Sequence, residues 1–337
     1  MSKIFITGGC GFLGSHIVDT LLEEGHEITV YDNLDSGYKE NIPKEVKLIK
    51  GDILDRDKLT KSSKGHDIFS HHAAKLEITK AISDPADDLF TNAVGTINAL
   101  QACVENDIGT FIGASSAGVY GQVPVLGALR GGGLIMAQGK LSELDKTAPN
   151  WPYGVSKLAA EHYARLYSEN YDVKTTMLRY SIVYGPREWY GRALTMFMAR
   201  LLEGARPVVF GKGNQIRDMV YVDDAVGFHN LAIEKNLSGV YNVCSDKVAT
   251  INGIAHKAIQ AAGYEFEIQY DDIEPGETSE YQNRIRIPSE LLCLAPMNAK
   301  ALRTGWRAET NLLTGVKKQW EWLQDHKERY TEGKMRV

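Results

Sequence analysis

The segment WPYGVSKLAAEH, residues 151–162, places Tyr153 and Lys157 four positions apart. On a helix this spacing brings both side chains onto one face. A free tyrosine has a pKa of about 10 and is a poor base at neutral pH, whereas a nearby ammonium favours the phenolate. Lowering that pKa by about 3 units takes roughly 4 kcal/mol, which close and partly desolvated charges can supply. The pair therefore indicates a base that removes a proton from a hydroxyl; its alternative interpretation is a solvated pair on a helix surface.

A third side chain that could act on the same hydroxyl is Ser116, in the segment ASSAGVYG. The preceding residues, TFIGASS, have the apolar character of a buried strand that ends at Ser116. Ligands of a doubly wound sheet bind beyond the carboxyl ends of its strands, so a serine at this point can donate a hydrogen bond to a bound hydroxyl. The alternative is an ordinary turn serine.

The N-terminal segment TGGCGFLGSH has the glycine spacing of a dinucleotide-binding turn, with Gly8, Gly11 and Gly14 three positions apart. Such glycines let backbone N–H groups and a helix N-terminus approach a pyrophosphate. Taken alone, the pattern also fits a turn that serves packing only. Asp32 ends the second predicted strand 18 residues after Gly14, where its carboxylate can accept both ribose hydroxyls and would repel a 2′-phosphate. The pattern therefore favours NAD over NADP.

The segment GDIL supplies a further acid, Asp52, at the end of the third predicted strand. There the Asp52 carboxylate and a neighbouring backbone amide could meet the adenine of the same cofactor. The alternative is that Asp52 caps the helix that follows.

Strand and helix patterns alternate along the first part of the chain, which predicts parallel βαβ units. The helices include one that ends near Gly25 and one from about Pro85 to Asn106. The predicted strands are KIFIT, EITVYD, VKLIKGD, DIFSHHAA, TFIGASS and VKTTMLRYSIVY. We therefore expect an α/β fold, a Rossmann-type doubly wound parallel sheet in residues 1–180 with a returning segment near 220–250. Residues 181–337 are expected to form mainly a smaller, mixed α/β substrate-binding lobe.

Composition excludes several classes of function. The 337 residues contain 38 Lys and Arg against 43 Asp and Glu, a formal net charge of −5, which argues against a nucleic-acid surface. No apolar run of about 18 residues is present, so we predict no membrane span and a cytoplasmic protein. The cysteines lack metal-ligand spacing, so neither a disulfide framework nor a metal site is expected. They are Cys10, Cys103, Cys244 and Cys293.

The whole pattern resembles the extended short-chain dehydrogenases/reductases that act on nucleotide sugars, the NAD-dependent epimerase/dehydratase family. The resemblance covers nearly the whole chain. It rests on the segments TGGCGFLGSH, YDNL, GDIL, HHAA, TNAVGTINALQAC, SSAGVYG, YGVSK, LRYSIVYGP, GKGNQIRDMVYVDDA and GW.

The resemblance implies a tightly held NAD and a catalytic set of Ser116, Tyr153 and Lys157. It also implies that Arg217 holds a nucleotide diphosphate; the alternative for this residue is a surface ion pair with Asp218. Members of the family usually form homodimers through the helices that here carry Asn92 and Lys157. The implied cofactor-binding residues are Gly8, Gly11, Phe12, Leu13, Gly14, Asp32, Asn33, Asp52, Ile53, Ala73, Ala74, Asn92, Ser115, Tyr153, Lys157 and Tyr180.

The residues after Ser116 bear on which reaction the family resemblance implies. Dehydratases of the family place an Asp-Glu pair there, and related decarboxylases keep a Glu before VYG; this chain has Ala117 and Gly118. Elimination is therefore disfavoured, and we predict epimerisation at C4 of a UDP-hexose or UDP-hexuronate through a 4-keto sugar. The alternatives are a 4-dehydrogenase or 4,6-dehydratase that releases the keto sugar and, outside enzymes, an NAD-binding regulatory protein.

The chain departs from the epimerase pattern at positions that face the substrate. Ser181 replaces an asparagine and Glu274 replaces an arginine, both of which touch the nucleotide or its phosphates in the family. Arg284 or Arg286, from a segment that looks inserted, could supply the missing cation. Lys75 could pair with a uronic carboxylate or be a surface lysine. The glycine-rich residues 121–139 are predicted to form a lid that becomes ordered on substrate binding.

Overall fold

The computed structural model describes residues 1–122, 125–128, 134–136, 140–188, 190–282 and 284–330. The strands are β1 (Lys3–Thr7), β2 (Glu27–Asp32), β3 (Lys47–Lys50), β4 (Ile68–His71), β5 (Thr110–Ser116), β6 (Val125–Ala128), β7 (Leu134–Met136), β8 (Lys174–Tyr180), β9 (Ile182–Tyr184), β10 (Val208–Phe210), β11 (Ile216–Tyr221), β12 (Gly239–Val243), β13 (Val248–Thr250), β14 (Gln269–Asp271), β15 (Thr278–Ser279), β16 (Arg284–Ile285) and β17 (Cys293–Leu294). The helices are α1 (Phe12–Glu23), α2 (Arg56–Ser63), α3 (Ile78–Ser83), α4 (Pro85–Leu89), α5 (Gly95–Glu105), α6 (Pro152–Asn170), α7 (Ala193–Leu202), α8 (Val222–Glu234), α9 (Ile251–Ala262), α10 (Ala299–Leu302) and α11 (Leu312–Asp325).

Seven strands form one parallel sheet in the order β12-β8-β5-β4-β1-β2-β3. The predicted Rossmann-type doubly wound sheet is confirmed. The winding changes direction between β1 and β4, because β2 lies on one side of β1 and β4 on the other. A crevice is expected at the carboxyl ends of the strands beside such a switch point.

Side chains of the central strand alternate between the two faces of this sheet, as the period of a strand requires. Ile4 and Ile6 enter the core that α1 and α8 cover, whereas Phe5 enters the opposite core with Phe69 and Phe111. That second core is covered by α2, α5 and α6. Burial on both faces makes the sheet a rigid base for the loops at its edge.

A smaller sheet is built around β11, which pairs with β9, β13 and β17. The chain passes directly from the large sheet into this smaller one. The prediction that VKTTMLRYSIVY forms one strand is therefore wrong: the segment leaves the large sheet after Tyr180, and Ile182–Tyr184 pairs with β11 instead. Ser181 makes the turn because its N–H donates to the Val243 carbonyl at 3.0 Å and its Oγ to Asp218 Oδ1 at 2.8 Å.

The helix predicted from about Pro85 to Asn106 is present, with one irregularity. Residues Phe90–Val94 form a π-helical segment between α4 and α5. Within the predicted lid, β6 and β7 pair with each other antiparallel. The rest of that prediction falls on residues 123, 124, 129–133 and 137–139, which lie outside the described residues.

None of the helices in the described ranges is long and apolar enough to cross a bilayer. The same ranges contain no group of three or more His, Cys, Asp or Glu side chains arranged to hold a metal ion. The four cysteines are buried and form no disulfide bond with one another. Burial raises the pKa of the Cys10 thiol to about 12, so this thiol beside the glycine turn stays protonated.

Candidate active site

A cavity of about 720 Å³ opens at the carboxyl ends of the central strands. Most of the residues predicted to bind cofactor line it. They are Gly8, Gly11, Phe12, Leu13, Gly14, Asp32, Asn33, Asp52, Ile53, Ala73, Ala74, Ser115, Tyr153, Lys157 and Tyr180. Segments that are far apart in sequence therefore meet in one cleft at the switch point of the sheet.

The glycine turn between β1 and α1 leaves no room for a side chain at Gly8 or Gly14. A Cβ on Gly14 would lie 2.1 Å from the Gly8 carbonyl oxygen, and one on Gly8 would lie 2.5 Å from the Ala73 nitrogen. Gly8 also has a positive φ of 72°. Helix α1 begins after Gly11 without a side-chain cap, so its first N–H groups are available to a ligand. This bare helix start fits a pyrophosphate.

The Asp32 carboxylate is fixed at the edge of the cleft by two backbone donors, the N–H groups of Cys10 at 2.9 Å and Leu34 at 2.8 Å. Burial raises the pKa of Asp32, and these hydrogen bonds lower it. Asn33 Nδ2 donates to Asp52 Oδ2 at 3.1 Å. Asn33 follows Asp32 directly, so this hydrogen bond holds the ends of β2 and β3, with both predicted adenosine-binding carboxylates, next to each other. The cap of α2 is Asp55 rather than Asp52, which removes the alternative role for Asp52.

Asn92 is the predicted cofactor residue that does not line the cavity. Its side chain instead fixes the backbone of Lys75: Oδ1 accepts from the Lys75 N–H at 2.9 Å, and Nδ2 donates to the Lys75 carbonyl at 3.0 Å. The Lys75 side chain lines the cavity and contacts the Asp87 carboxylate. The Lys75 ammonium therefore already has an anionic partner at the mouth of the cleft.

Tyr153 and Lys157 occupy the first turns of α6, which starts with Pro152 at its N1 position. Lys157 Nζ donates to the Ala114 carbonyl at the end of β5 at 2.9 Å. Ser116 Oγ accepts from the Gly118 N–H at 3.0 Å, so the hydroxyl hydrogen of Ser116 is left for another acceptor. The structure thus brings the three predicted catalytic residues to one point.

Burial and the charges around Tyr153 favour its neutral phenol in the protein without ligands. Burial raises the pKa of Tyr153 to about 12, while the positive charge of Arg192 and a hydrogen bond with Ser116 lower it. Burial lowers the pKa of Lys157 to about 8, and the carboxylates of Asp88 and Glu161 oppose that change. Additional positive charge beside Tyr153 is therefore needed before the phenolate forms at neutral pH.

A second cavity, of about 260 Å³, joins the first at Ser116 and Tyr153. Both cavities are lined by Leu76, Ser116, Tyr153, Tyr180, Ser181 and Arg192. The inner one continues between the small sheet and α7, along Tyr190, Phe197 and Phe210. A ligand in the inner cavity would thus place one end against Tyr153 and the other among these aromatic side chains.

Arginines supply the charge of the inner cavity. Arg217 lines it, with Nη2 3.8 Å from Glu290 Oε1. The alternative pairing of Arg217 with Asp218 is not the one observed, because Asp218 accepts hydrogen bonds from Ser181 and from the Ser245 N–H, each at 2.8 Å. Ser181 therefore lines the cavity with its Oγ already turned toward Asp218.

The two other arginines proposed from the sequence differ in their partners. Arg286 Nη2 lies 3.0 Å from Glu290 Oε2. Arg284 lines the cavity and forms no ion pair with any residue that the structure describes. Burial lowers the pKa of the Arg284 guanidinium, and Tyr190 opposes this. Arg284 is thus the cation best placed to take an anionic ligand.

Sequence analysis missed Arg192, which lines both cavities. Its Nη1 donates to the Val183 carbonyl at 3.0 Å, and its guanidinium lies 5.6 Å from the centre of the Tyr190 ring. Glu188, which is buried, lies 3.6 Å from the same nitrogen. Residues 185–192, GPREWYGR, carry no spacing signal for this role, because only the path of the chain turns Arg192 toward Tyr153.

Comparison with known proteins agrees with this geometry. The model of the NAD dependent epimerase/dehydratase family matches residues 4–244. A putative UDP-glucose 4-epimerase of Methanocaldococcus jannaschii is 32% identical over 329 residues, 96% of this chain and 99% of the relative. A dTDP-glucose 4,6-dehydratase of Actinoplanes sp. is 29% identical over 277 residues, 77% and 82% of the two chains. The crystal structure of UDP-glucose 4-epimerase with UDP-glucose from Thermotoga maritima has a TM-score of 0.83 at 30% identity, covering 96% and 99%.

The fold and the cleft define an NAD-dependent enzyme of the short-chain dehydrogenase/reductase superfamily. Within it, the chain belongs to the NAD-dependent epimerase/dehydratase family.

Proposed function

We propose that this enzyme is an NAD-dependent nucleotide-sugar 4-epimerase that works through a transient 4-keto sugar. The observation that carries the proposal is the meeting of Ser116 and Tyr153 where the two cavities join, with Lys157 beside them in the outer cavity. The outer cavity suits NAD, because its glycine turn and Asp32 match the pyrophosphate and ribose. The inner cavity suits a nucleotide sugar, with the sugar against Tyr153.

In this mechanism Tyr153 is the base and later the acid. The Tyr153 oxygen removes the proton of the C4 hydroxyl and returns it after the keto sugar has turned over. The glycine turn, Asp32 and Lys157 would hold NAD⁺, which would supply a reversible acceptor for the hydride of C4. The Ser116 hydroxyl, which hydrogen-bonds with Tyr153 in the protein alone, donates to the oxygen at C4 when the sugar is bound. Lys157, anchored on the Ala114 carbonyl, holds the nicotinamide ribose and adds positive charge beside the phenol.

The residues beside Ser116 favour epimerisation over loss of water. Elimination needs a second acid or base at the sugar, and the next two residues, Ala117 and Gly118, have no titratable group. Both are buried in a 3₁₀ turn. Tyr153 and Ser116 suffice for oxidation and return at a single carbon, so the epimerase is the simpler use of this site.

The inner cavity supports a nucleotide diphosphate as the handle of the substrate. We assign Arg217 and Arg284 to the diphosphate, since both line the inner cavity and Arg284 has no ion pair in the described part of the chain. Arg284 would then replace the arginine that the family keeps near position 274. The base is expected to be uridine and the sugar a hexose or hexuronate.

The same proposal includes a homodimer, a cytoplasmic location and a division near Tyr180 into a cofactor domain and a substrate lobe.

Apolar side chains that could form the dimer interface lie exposed on α4, α6 and the adjoining π segment. They are Leu89, Phe90, Val155, Tyr163 and Leu166. A cluster of this kind is typical of an interface between subunits. Light scattering after gel filtration tests it: the wild type should be a dimer, and replacement of Leu166 by Glu should give monomers.

Proton NMR of the purified enzyme with UDP-glucose, UDP-glucuronate and their N-acetyl relatives tests the activity. No NAD is added, because the cofactor is expected to remain bound. We expect the C4 epimer of one of these sugars, and Tyr153→Phe, which removes one oxygen, should slow its formation at least ~10²-fold. Release of a keto sugar would instead favour the dehydrogenase or dehydratase. NAD binding with no conversion across a broad panel would favour the regulatory protein.

A further inference from the structure

Asp88, in the last turn of α4, is a buried carboxylate next to the catalytic helix. Only 3% of its surface is exposed. Its Oδ2 accepts from Ser156 Oγ at 2.6 Å and its Oδ1 from Asn92 Nδ2 at 2.8 Å. Both donors are neutral, so they leave the negative charge of Asp88 uncompensated.

The two donors tie Asp88 to both walls of the cofactor cavity. Ser156 precedes Lys157 on α6, and its Oγ also lies 3.0 Å from the Tyr153 carbonyl oxygen. Asn92 holds the backbone N–H and carbonyl of Lys75, as described above. Asn92 sits inside the π-helical segment Phe90–Val94, and such segments are frequent at functional sites. Asp88 therefore links α6, through Ser156, to the segment after β4, through Asn92.

The charges around the catalytic pair show why Asp88 matters more than its neighbours. Asp88 and Glu161 both raise the pKa of Lys157. Glu161, however, is matched by Arg179, whose Nε and Nη2 donate to it at 2.9 and 2.7 Å. Asp88 forms no direct ion pair within the described ranges; burial raises the pKa of its carboxyl, and the positive charge of Lys157 lowers it together with the hydrogen bonds from Ser156 and Asn92. The other titratable groups near Lys157 or Tyr153 are His71, His72, Arg192 and Tyr190.

We propose that Asp88 is a positioning residue of this site: its buried carboxylate keeps the Lys157 ammonium charged and holds the helix of Tyr153 against the cofactor wall. The identity of the catalytic pair rests on the proposed function. The effect of Asp88 on the protons of that pair does not depend on which sugar is the substrate.

The sign of the effect follows from the total charge of the pair. Tyr153 and Lys157 lose their protons in two macroscopic steps, and each step makes the pair more negative. Removing a nearby negative charge makes both steps easier, so both move to lower pH. For a buried carboxylate close to the pair, we expect a shift of about one pH unit or more. A purely structural role would lower activity without moving either step.

The test is a pH titration of the tyrosinate ultraviolet absorbance of the NAD-loaded protein. Tyr153→Phe identifies the part of the signal that belongs to Tyr153. Asp88→Asn keeps the shape of the side chain and removes its charge. In this variant the midpoint of the Tyr153 titration should fall by about one pH unit. Glu169→Gln makes the same exchange at an exposed position of α6 and should leave the midpoint unchanged. An unchanged or higher midpoint in Asp88→Asn, or an equal shift in Glu169→Gln, would overturn the proposal.

A second readout is the pH dependence of kcat for the epimerisation, whose two limbs should both move to lower pH in Asp88→Asn. If no nucleotide sugar is converted while the absorbance midpoint still shifts, the proposed function fails and the role of Asp88 stands. If Asp88→Asn does not fold, Asp88→Ser tests the same shift, because its hydroxyl can still meet Ser156 and Asn92 without a charge. Limbs that stay in place while kcat falls would assign Asp88 to structure alone.

Discussion

Helix α6 carries two glutamates that each form a two-bond pair with an arginine, one buried and one exposed. Glu161 meets Arg179 with side chains that are 4% and 6% exposed. Glu169 meets Arg165 at 2.7 and 2.8 Å, with side chains 53% and 57% exposed. The chemistry is the same and the surroundings differ, so Glu161→Gln and Glu169→Gln form a matched pair of variants.

The two variants are expected to lower the free energy of unfolding by amounts that differ several-fold. Glu161→Gln leaves the Arg179 guanidinium buried without its counter-ion, and breaking one partner of a buried pair costs about 3–5 kcal/mol. Glu169→Gln removes a solvated pair worth no more than about 0.5 kcal/mol. Replacing Glu161 and Arg179 together by Met should recover most of the loss, because no charge is then stranded.

Urea unfolding followed by circular dichroism measures these differences as changes in the free energy of unfolding. Equal effects of Glu161→Gln and Glu169→Gln would refute the reasoning, since burial would then not set the value of the pair. The Glu161 carboxylate also accepts from the Ser115 hydroxyl, beside the proposed catalytic residue Ser116. NAD affinity, measured by calorimetry, should therefore fall in Glu161→Gln and stay unchanged in Glu169→Gln.

Three further predictions concern the cofactor turn, the base and the buried histidines. Gly14→Ala should lower NAD affinity in calorimetry at least ~10-fold, because its Cβ would lie 2.1 Å from the Gly8 carbonyl oxygen, whereas Gly109→Ala, with open space around its Cβ, should bind as the wild type does. Arg192→Met should move the acidic limb of the kcat profile about one unit to higher pH, since the Arg192 charge lowers the pKa of Tyr153; an unmoved limb would contradict this. Burial lowers the pKa of His229 to about 4, so the unfolded chain binds a proton at this residue before the folded protein does. The stability that is present above pH ~6.5 is therefore lost as the pH falls toward 4, by about 2 kcal/mol at pH ~5. In His229→Gln the loss of stability between pH ~8 and ~5 should be smaller by about 2 kcal/mol, as urea unfolding would show.

The parts of the fold and site that follow from local spacing could be predicted from the sequence. The glycine turn, Asp32 at the end of β2 and Tyr153 one turn before Lys157 are each set within a few residues by hydrogen bonds of one strand or helix. Their meeting in one cleft followed from the rule that ligands bind at the carboxyl ends of parallel strands. These predictions needed no knowledge of distant contacts.

Features that depend on distant partners were not predictable in this way. VKTTMLRYSIVY reads as one apolar strand, and its division at Ser181 depends on Asp218 and Val243, which lie far along the chain. Arg192 reaches Tyr153 only through the fold. The π-helical segment that turns Asn92 toward Lys75 has no periodicity signal in the sequence. Sequence patterns therefore located the proposed catalytic pair, Tyr153 and Lys157, and did not predict the position of Arg192 beside it.

The division at Ser181 also limits how the length of this chain can vary. Tyr180 ends a strand of the large sheet and Ile182 begins a strand of the small one, so one residue separates two hydrogen-bonding registers. An inserted or deleted residue here would turn each side chain of β9 to the opposite face. Substitutions can alter the pocket gradually, but a change of length at this junction would misalign both walls at once. Among related chains that share this junction, its length should be kept even where the residue at position 181 varies.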